Sequence, residues 1–199
     1  MFFKTRRSII ALSLSLSLGS MGSALAQSTE QRHQAAEAAS KTFLQKLGRT
    51  MKAEMQSNGP VAAIKVCEDM APEIAADISR EKGWKVTRLG TRVRNPMLAM
   101  PDVWEQKVLA NFQERANKGE ALKNMTYSEL TTEPNGKYFR FMKAIGVKPL
   151  CLTCHGSQAD IPKEVKALLQ ERYPHDQAID YKPGNLRGAV SIKQPANSL

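Results

Sequence analysis

The first part of the chain shows the three- and four-residue apolar spacing of amphipathic helices. Residues 30–57 are predicted to form a helix, with an apolar stripe of Phe43, Leu47, Met51 and Met55. Asn58-Gly59-Pro60 predicts an end to this helix and the start of another, because proline suits a first helical turn. Residues 60–80 carry a second stripe, made of Val61, Ile64, Cys67, Ala71, Ile74 and Ile78. Pro72 interrupts it and predicts a kink or a restart.

Strand and turn signals dominate after Gly83. Successive segments are predicted as a strand, a loop, a hairpin and a final strand: Trp84–Leu89, Thr91–Pro101, Tyr127–Thr131 with Lys137–Ile145, and Leu186–Lys193. The final strand alternates, with Leu186, Gly188, Val190 and Ile192 on one side and Arg187, Ala189, Ser191 and Lys193 on the other. This pattern is typical of a half-buried strand.

Two more helices complete the order of elements. Asp102 is a predicted N-cap for a helix that reaches about Lys118, with Trp104, Val108 and Phe112 on one face. A later helix carries Val165, Leu168, Leu169 and Arg172, with Pro162 at its start. Strands mixed with helices in this way favour an antiparallel sheet with helices packed on it. The predicted fold class is therefore α+β, with a helical N-terminal part.

The first 26 residues have the features of a signal peptide. Lys4, Arg6 and Arg7 form a positive region, Ile9–Leu18 is apolar, and Ala24-Leu25-Ala26 is a small-x-small cleavage site. The apolar run is about half the roughly 20 residues that cross a bilayer. We therefore predict cleavage after Ala26, export to the periplasm, a single domain over residues 27–199, and no stable membrane insertion after cleavage.

Composition and charge limit the function classes. The 199 residues suit one domain, and 42% hydrophobic with 24% charged residues excludes wholesale disorder and a fibre. Three cysteines cannot all pair within one chain, which excludes a disulfide framework. Loss of the three basic leader residues from 29 leaves 26 against 19 acidic residues, a net charge of +7. This excess favours acidic partners. An exported chain without a recognisable binding motif is not expected to bind nucleic acid.

The motif Cys151-Leu152-Thr153-Cys154-His155 is C-x-x-C-H, which is typical of c-type haem attachment. Two thiols three positions apart reach the two vinyl groups of one porphyrin, and the adjacent histidine supplies the proximal iron ligand. The alternatives are a redox dithiol, which normally opens a helix in a thioredoxin-like unit, and a zinc pair, which needs two more ligands. Attachment after export agrees with the leader, so we predict one covalent haem c, held by Cys151, Cys154 and His155.

The sixth iron ligand does not follow from this motif. The candidates are the methionines that remain after cleavage, His33, His175 and Cys67. Methionine is common in electron-carrying cytochromes. Cys67 lies at the centre of an apolar stripe and would be an unprotected thiol in an oxidising compartment, which makes it a candidate beside its ordinary role as a small buried residue. These alternatives stay open on the residues alone.

Several ordered blocks of sequence resemble a known family between about residues 40 and 193. The blocks are Val66-Cys67, Ala71-Pro72-Glu73-Ile74-Ala75, Gly83-Trp84-x-Val86-x-Arg88, Arg94-Asn95-Pro96, Pro101-Asp102-x-Trp104-Glu105, Cys151-Leu152-x-Cys154-His155-Gly156, Tyr173-Pro174-x-Asp176-x-Ala178 and Gly184-Asn185-Leu186-Arg187-Gly188-Ala189. The family consists of bacterial exported proteins with a single haem c, first described as a domain of unknown function. It occurs alone and as the sensory ectodomain of histidine kinases, and its structural prototype is a cyanobacterial haem c protein.

The resemblance implies a PAS-like antiparallel sheet flanked by helices. It also implies that Cys151 and Cys154 carry the haem thioethers, that His155 is the proximal ligand and that Cys67 is the distal ligand. Near the family blocks, Arg88, Arg92 and Arg94 are candidates for haem propionate contacts, since a guanidinium fits a carboxylate; a solvated basic loop is the alternative.

Iron with a histidine and a thiolate has no open coordination position, so we expect no enzyme. Two functions remain: a redox or gas sensor in which a ligand replaces Cys67, and a low-potential electron carrier. A haem enzyme is the least favoured alternative. In either remaining case we expect a separate redox partner or signalling protein.

Overall fold

The computed structural model describes residues 27–196, so the predicted leader lies outside the described residues. Helix α1 spans Thr29–Lys65, and the Ser28 side chain caps it by accepting a hydrogen bond from the backbone N–H of Gln31. The helix is kinked at Gly59, where φ is 81° and ψ is −178°, directly before Pro60. Glycine tolerates positive φ and proline lacks an N–H, so the predicted interruption is confirmed.

A wide π-helical turn, Val66–Met70, connects α1 to helix α2, Ala71–Lys82. The backbone N–H of Ala71 donates to the carbonyl of Val66. Pro72 follows and has no N–H to donate, so a regular α-helical ladder cannot continue through this point. The predicted irregularity at Pro72 is confirmed, and it places Cys67 inside the wide turn.

The sheet has four antiparallel strands in the order β1-β4-β3-β2. The strands are β1, Lys85–Gly90; β2, Thr126–Glu133; β3, Gly136–Gly146; and β4, Leu186–Pro195. Strands β2 and β3 form the predicted hairpin, with Glu133 opposite Gly136. The predicted α+β class and helical N-terminal part are confirmed.

The remaining helices are short, apart from α4. They are α3, Pro96–Ala99; α4, Val103–Asn117; α5, Leu152–His155; and α6, Lys163–Arg172. Asp102 caps α4 in a reciprocal capping box with Glu105, as predicted for the N-cap. The prediction of an unbroken loop over residues 91–101 is wrong, because Asn95 accepts a hydrogen bond from the Met97 N–H and Pro96 favours a first turn.

Strand β4 lies between β1 and β3 and is buried on both faces, so the prediction of a half-buried strand is wrong. Helices α1 and α2 cover one face, where Val190 and Ile192 pack. Helix α4 covers the other face, where Ala189 packs together with Leu186. The predicted alternation put Leu186 on the side of Val190. A β-bulge opposite Ile145 and Gly146, where β4 has one extra residue, moves Leu186 to the face of Ala189.

Candidate functional site

The Cys-x-x-Cys-His segment is wound into two tight turns after β3. Cys151 ends a 3₁₀ turn over Pro149–Cys151, and α5 follows directly. Gly156 then lets the chain pass close to α5, because a Cβ at this position would lie 2.6 Å from the Leu152 carbonyl oxygen. The backbone carbonyls of His155 and Gly156 accept hydrogen bonds from Tyr181 and Asp180. These bonds fix the segment against the chain that leads into β4.

His155 is buried, and its Nδ1 lies 2.6 Å from the carbonyl oxygen of Ala178. A carbonyl can only accept, so Nδ1 carries the proton of the neutral ring and Nε2 keeps its lone pair. Burial, together with the positive charges of Arg187, Arg94 and others, holds the pKa of His155 well below its usual value. The ring is therefore neutral at neutral pH, which is the form that ligates a metal.

Arg94 is buried and ties the Cys-x-x-Cys-His segment to the loop before β4. Its Nε donates to Asp176 Oδ2 at 2.8 Å, and its Nη2 donates to the Cys154 carbonyl at 2.5 Å. Asp176 also accepts a hydrogen bond from the Ala178 N–H, the residue whose carbonyl holds His155. Arg94 therefore supports the geometry of the motif and is already paired with a carboxylate.

The two cysteines of the motif lie in different apolar surroundings. Cys151 packs with Val147 and Tyr181, whereas Cys154 packs with Ile64 and Val165. Burial raises the pKa of the Cys154 thiol to about 11, and the nearby charge of Cys67 adds to that effect while Arg94 opposes it. All three cysteines of the chain are free thiols in the structure.

A cavity of about 440 Å³ lies between α2, β1 and α3. Cys67 lines it from the π-helical turn, and Ala71, Ala75 and Ala76 supply a wall of small side chains along α2. Tyr173 lines it from the end of α6. The motif residues Cys151, Cys154 and His155 lie outside this lining, and Arg94 connects them to it, since it lines the cavity and holds the Cys154 carbonyl.

The structure separates the three arginines selected from the sequence. Arg88 and Arg94 line the cavity, whereas Arg92 lies with its guanidinium 3.9 Å from the centre of the Tyr181 ring and donates to the Asp180 carbonyl. Tyr181 in turn meets the His155 ring edge-on, at 6.1 Å between ring centres. Arg187 also lines the cavity, and sequence reasoning missed it because the alternation of β4 placed it on the other face.

Two further observations concern the described residues alone. None of the helices between residues 27 and 196 combines the length and apolar character needed to cross a bilayer. In the same range, no cluster of three or more His, Cys, Asp or Glu side chains has the arrangement of a metal site built from those residues.

The family match and the structural match agree with each other. Residues 21–195 match the Tll0287-like family. A similar solved structure is the crystal structure of the cyanobacterial heme-protein Tll0287, with a TM-score of 0.59 and 24% sequence identity. The similarity covers 83% of this chain and 93% of that one, which supports the same fold. A comparison with curated proteins gives no significant match.

Proposed function

Because the chain belongs to the Tll0287-like family, we propose that it is a haem-binding protein with one haem c. Cys151 and Cys154 are the attachment points, His155 is the proximal ligand and Cys67 is the distal ligand. The observation that carries this proposal is His155, a buried neutral imidazole whose Nδ1–H is bonded to a carbonyl so that Nε2 is free to ligate iron. The heme-protein Tll0287 shares the fold.

The residues around the cavity fit a haem. Its volume of about 440 Å³ lies within the range of cofactor sites, and alanines and aliphatic side chains supply an apolar lining. Arg187 contributes a buried Nε that has no hydrogen-bond partner among the described residues, which suits an anionic group in the cavity. When bound, the haem would supply a one-electron redox centre whose iron takes two axial ligands.

The covalent part of the proposal is tested by the three cysteines themselves. The chain is expressed together with a c-type maturation system, denatured, and examined for haem that stays with the polypeptide. Cys151→Ser and Cys154→Ser should each lose one thioether, and the double variant should lose both. Cys67→Ser is the matched control and should keep all the covalent haem. Equal loss in all three single variants would contradict this division of roles.

The distal ligand is tested by electron paramagnetic resonance of the ferric protein. The unchanged chain should give low-spin thiolate parameters, and Cys67→Ser should abolish them. Met97→Leu and His175→Ala are controls, since both side chains are exposed and both residues were alternatives in the sequence. An unchanged spectrum in Cys67→Ser would overturn the assignment.

Redox or gas sensing is the function that we favour. Cys67 lies in an irregular turn, is only half-buried, and its thiol has no hydrogen-bond partner among residues 27–196. Its position therefore contrasts with the firmly bonded His155, so a ligand that replaces a thiolate meets little resistance from the protein. Ready binding of carbon monoxide by the ferrous protein would support this, and refusal would favour an electron carrier.

An electron carrier is the second candidate, favoured by an apolar surface at the cavity edge. Met97, Leu98, Met100 and Val103 are exposed by 90%, 53%, 59% and 71%, and Leu98 also lines the cavity. Transient redox partners dock on surfaces of this kind. Loss of electron exchange with an acidic redox protein in Met97→Ser/Met100→Ser, with an unchanged haem spectrum, would support the carrier. In neither case do we propose an enzyme.

Export to the periplasm completes the proposal. Haem attachment to this motif takes place after export, and the first described helix begins at Thr29, just after the proposed cut at Ala26. N-terminal sequencing of the protein purified from the periplasm should begin at Gln27. A protein that retains residues 1–26 would contradict the proposed cleavage.

A further inference from the structure

Four arginines line the cavity, and they differ in whether the chain neutralises them. Arg80 is paired with Asp77, and Arg94 is paired with Asp176. Arg88 and Arg187 have no carboxylate within ion-pair distance among residues 27–196. The Nε of Arg187 is buried without a hydrogen-bond partner, while its Nη1 donates to the Arg92 carbonyl at 3.2 Å. Two positive charges in this wall are thus left uncompensated.

Two glycines lie beside Arg187 where β1 pairs with β4. Gly90 of β1 lies opposite Gly188 of β4. A Cβ at Gly90 would lie 2.8 Å from Arg187 Nη1, and a Cβ at Gly188 would lie 1.9 Å from the Leu89 carbonyl oxygen. Gly188 also has φ 154°, which side chains rarely adopt. Arg187 is the extra residue of β4 at the bulge and lines the cavity. The absence of a Cβ at Gly90 leaves space for its guanidinium, and Gly188 permits the close approach of β1 and β4 beside it.

An uncompensated buried cation lowers the stability of the protein that contains it. Burial and the neighbouring charge of Arg88 lower the pKa of Arg187 to about 10. The group remains charged at neutral pH even so. A site that keeps two such half-buried charges without a carboxylate partner is suited to an anion that arrives with a ligand.

We propose that Arg187 and Arg88 form a carboxylate clamp that binds the propionates of the haem. This inference rests on the proposed function and assigns a role to Arg187. Arg92 and Arg94 are not part of the proposed clamp, because Arg92 stacks on Tyr181 and Arg94 is bonded to Asp176. A planar guanidinium with free N–H groups binds a carboxylate through charge-assisted hydrogen bonds.

Thermal unfolding of the full chain, with and without haem, tests the clamp. Arg187→Gln should raise the midpoint of the haem-free protein, because a half-buried charge without a carboxylate partner is removed. It should lower the midpoint of the haem protein, because a carboxylate loses its partner. Each shift should be about 2 to 4 °C. Arg88→Gln should act in the same directions. Arg80→Gln is the matched control, since it removes a paired, exposed charge from the same cavity and should change neither form.

The outcomes separate the clamp from the function on which it rests. Equal lowering of both forms in Arg187→Gln would mean a structural arginine and would overturn the clamp. A haem protein unaffected by Arg187→Gln, together with a haem-free chain stabilised by inorganic phosphate, would assign the site to a free anion and would also overturn it. Absence of covalent haem from the unchanged chain would overturn the proposed function itself.

A second measurement uses the ligand instead of the fold. In Cys151→Ala/Cys154→Ala, where haem associates reversibly, haem should bind about ten- to hundredfold more tightly than its dimethyl ester. Arg187→Gln added to this background should reduce the preference, Arg187→Gln together with Arg88→Gln should abolish it, and Arg80→Gln should preserve it. A preference that survives the loss of both Arg187 and Arg88 would overturn the clamp.

Discussion

Arg140 and Arg187 lie on opposite faces of one sheet, and they differ in their ion pairs. Arg140 is buried, whereas Arg187 is half-buried with a buried Nε. On the face of α4, Arg140 lies 2.6 Å from Asp102, 3.3 Å from Glu105 and 3.7 Å from Glu133. Its guanidinium also covers the Trp104 ring at 4.3 Å. On the face of the cavity, Arg187 meets no carboxylate of the described residues. A missing partner on Nε does not distinguish the two, because Arg140 lacks one as well.

The carboxylates are therefore the informative difference. A protein that needs a buried arginine only for its fold surrounds it with acidic groups, as it does Arg140. Where no acidic group is present and space remains, the neutralising charge is expected to belong to a ligand. The α4 face of the sheet has its arginine neutralised by the chain itself, whereas we propose that a cofactor neutralises the arginine of the cavity face.

Replacing Arg140 should have the largest effect on the free energy of unfolding. Arg140→Met leaves the buried Glu105 without its cation and should cost about 4 kcal/mol in urea unfolding. Arg187→Met, its counterpart, should be neutral or stabilising in the haem-free protein. A second change, Glu105→Gln, should recover part of the loss in Arg140→Met. Similar destabilisation by Arg140→Met and Arg187→Met would remove the distinction between the two faces.

Asp176→Asn tests Arg94, which lines the cavity as Arg187 does but is paired with a carboxylate as Arg140 is. Asp176→Asn should cost about 3 kcal/mol, because Arg94 and Asp176 are only 10% and 12% exposed in their side chains. It should also reduce covalent haem, since Arg94 holds the Cys154 carbonyl. Asp77→Asn, which unpairs the exposed Arg80, is the control and should change neither quantity. An unchanged free energy of unfolding in Asp176→Asn would show that Arg94, although it lines the cavity, does not need its carboxylate partner for stability.

Gly188 tests the backbone that presents Arg187. Gly188→Ala should cost about 2 kcal/mol. Its φ of 154° is one that side chains rarely adopt, and the added Cβ would also clash with the Leu89 carbonyl of β1. Gly83→Ala is the control: Gly83 is also left-handed, at φ 68°, but nothing lies near its Cβ position, so about 1 kcal/mol is expected. Only Gly188→Ala should weaken haem retention as well. Equal effects of the two substitutions on haem retention would mean that the backbone at Gly188 is not needed to place Arg187 for haem binding.

Asp102 gives the smallest effect, one that depends on pH. Burial raises the pKa of Asp102, but hydrogen bonds from Arg140 and from the Glu105 N–H outweigh it and bring the pKa below the ordinary value of 3.8. A depressed pKa in the folded state means stability that is present above that ordinary value and lost as the pH falls through the folded pKa. Asp102→Asn should therefore flatten the acid side of the stability profile measured by urea unfolding. An unchanged profile would mean that Glu105 and Glu133 suffice for Arg140.

Local signals made much of the fold predictable. The cap at Asp102, the break at Gly59-Pro60, the disturbance at Pro72 and the β2–β3 hairpin each depend on residues close in sequence. The helix α3 was missed because a four-residue turn leaves little periodicity. The burial of β4 was missed because two covered faces arise from the packing of distant helices, which one strand does not encode.

The part of the site formed by a sequence motif could be predicted, whereas the part that depends on how the strands pair could not. The Cys-x-x-Cys-His segment can be recognised from the spacing of its two cysteines and the histidine that follows. Arg187 could not be found by alternation, since its direction depends on an extra residue opposite β3. The pair Gly188 and Gly90 was a weak signal, because a glycine inside a strand pattern often marks a bulge.

The central place of β4 also has a kinetic consequence. Its partners are β1, which precedes it by a large sequence distance, and β3; Arg88 pairs with Val190 and Phe141 with Ile192. Long-range pairings slow folding because loop closure precedes the gain in contacts. The backbone turns of the Cys-x-x-Cys-His segment are closed by local hydrogen bonds, from the Cys151 N–H to the Lys148 carbonyl and from the Gly156 N–H to the Leu152 carbonyl, and these turns can form early. The cavity wall that holds Arg187 closes only when the last strand enters between its neighbours. A slow folding phase should therefore report the closing of the cavity.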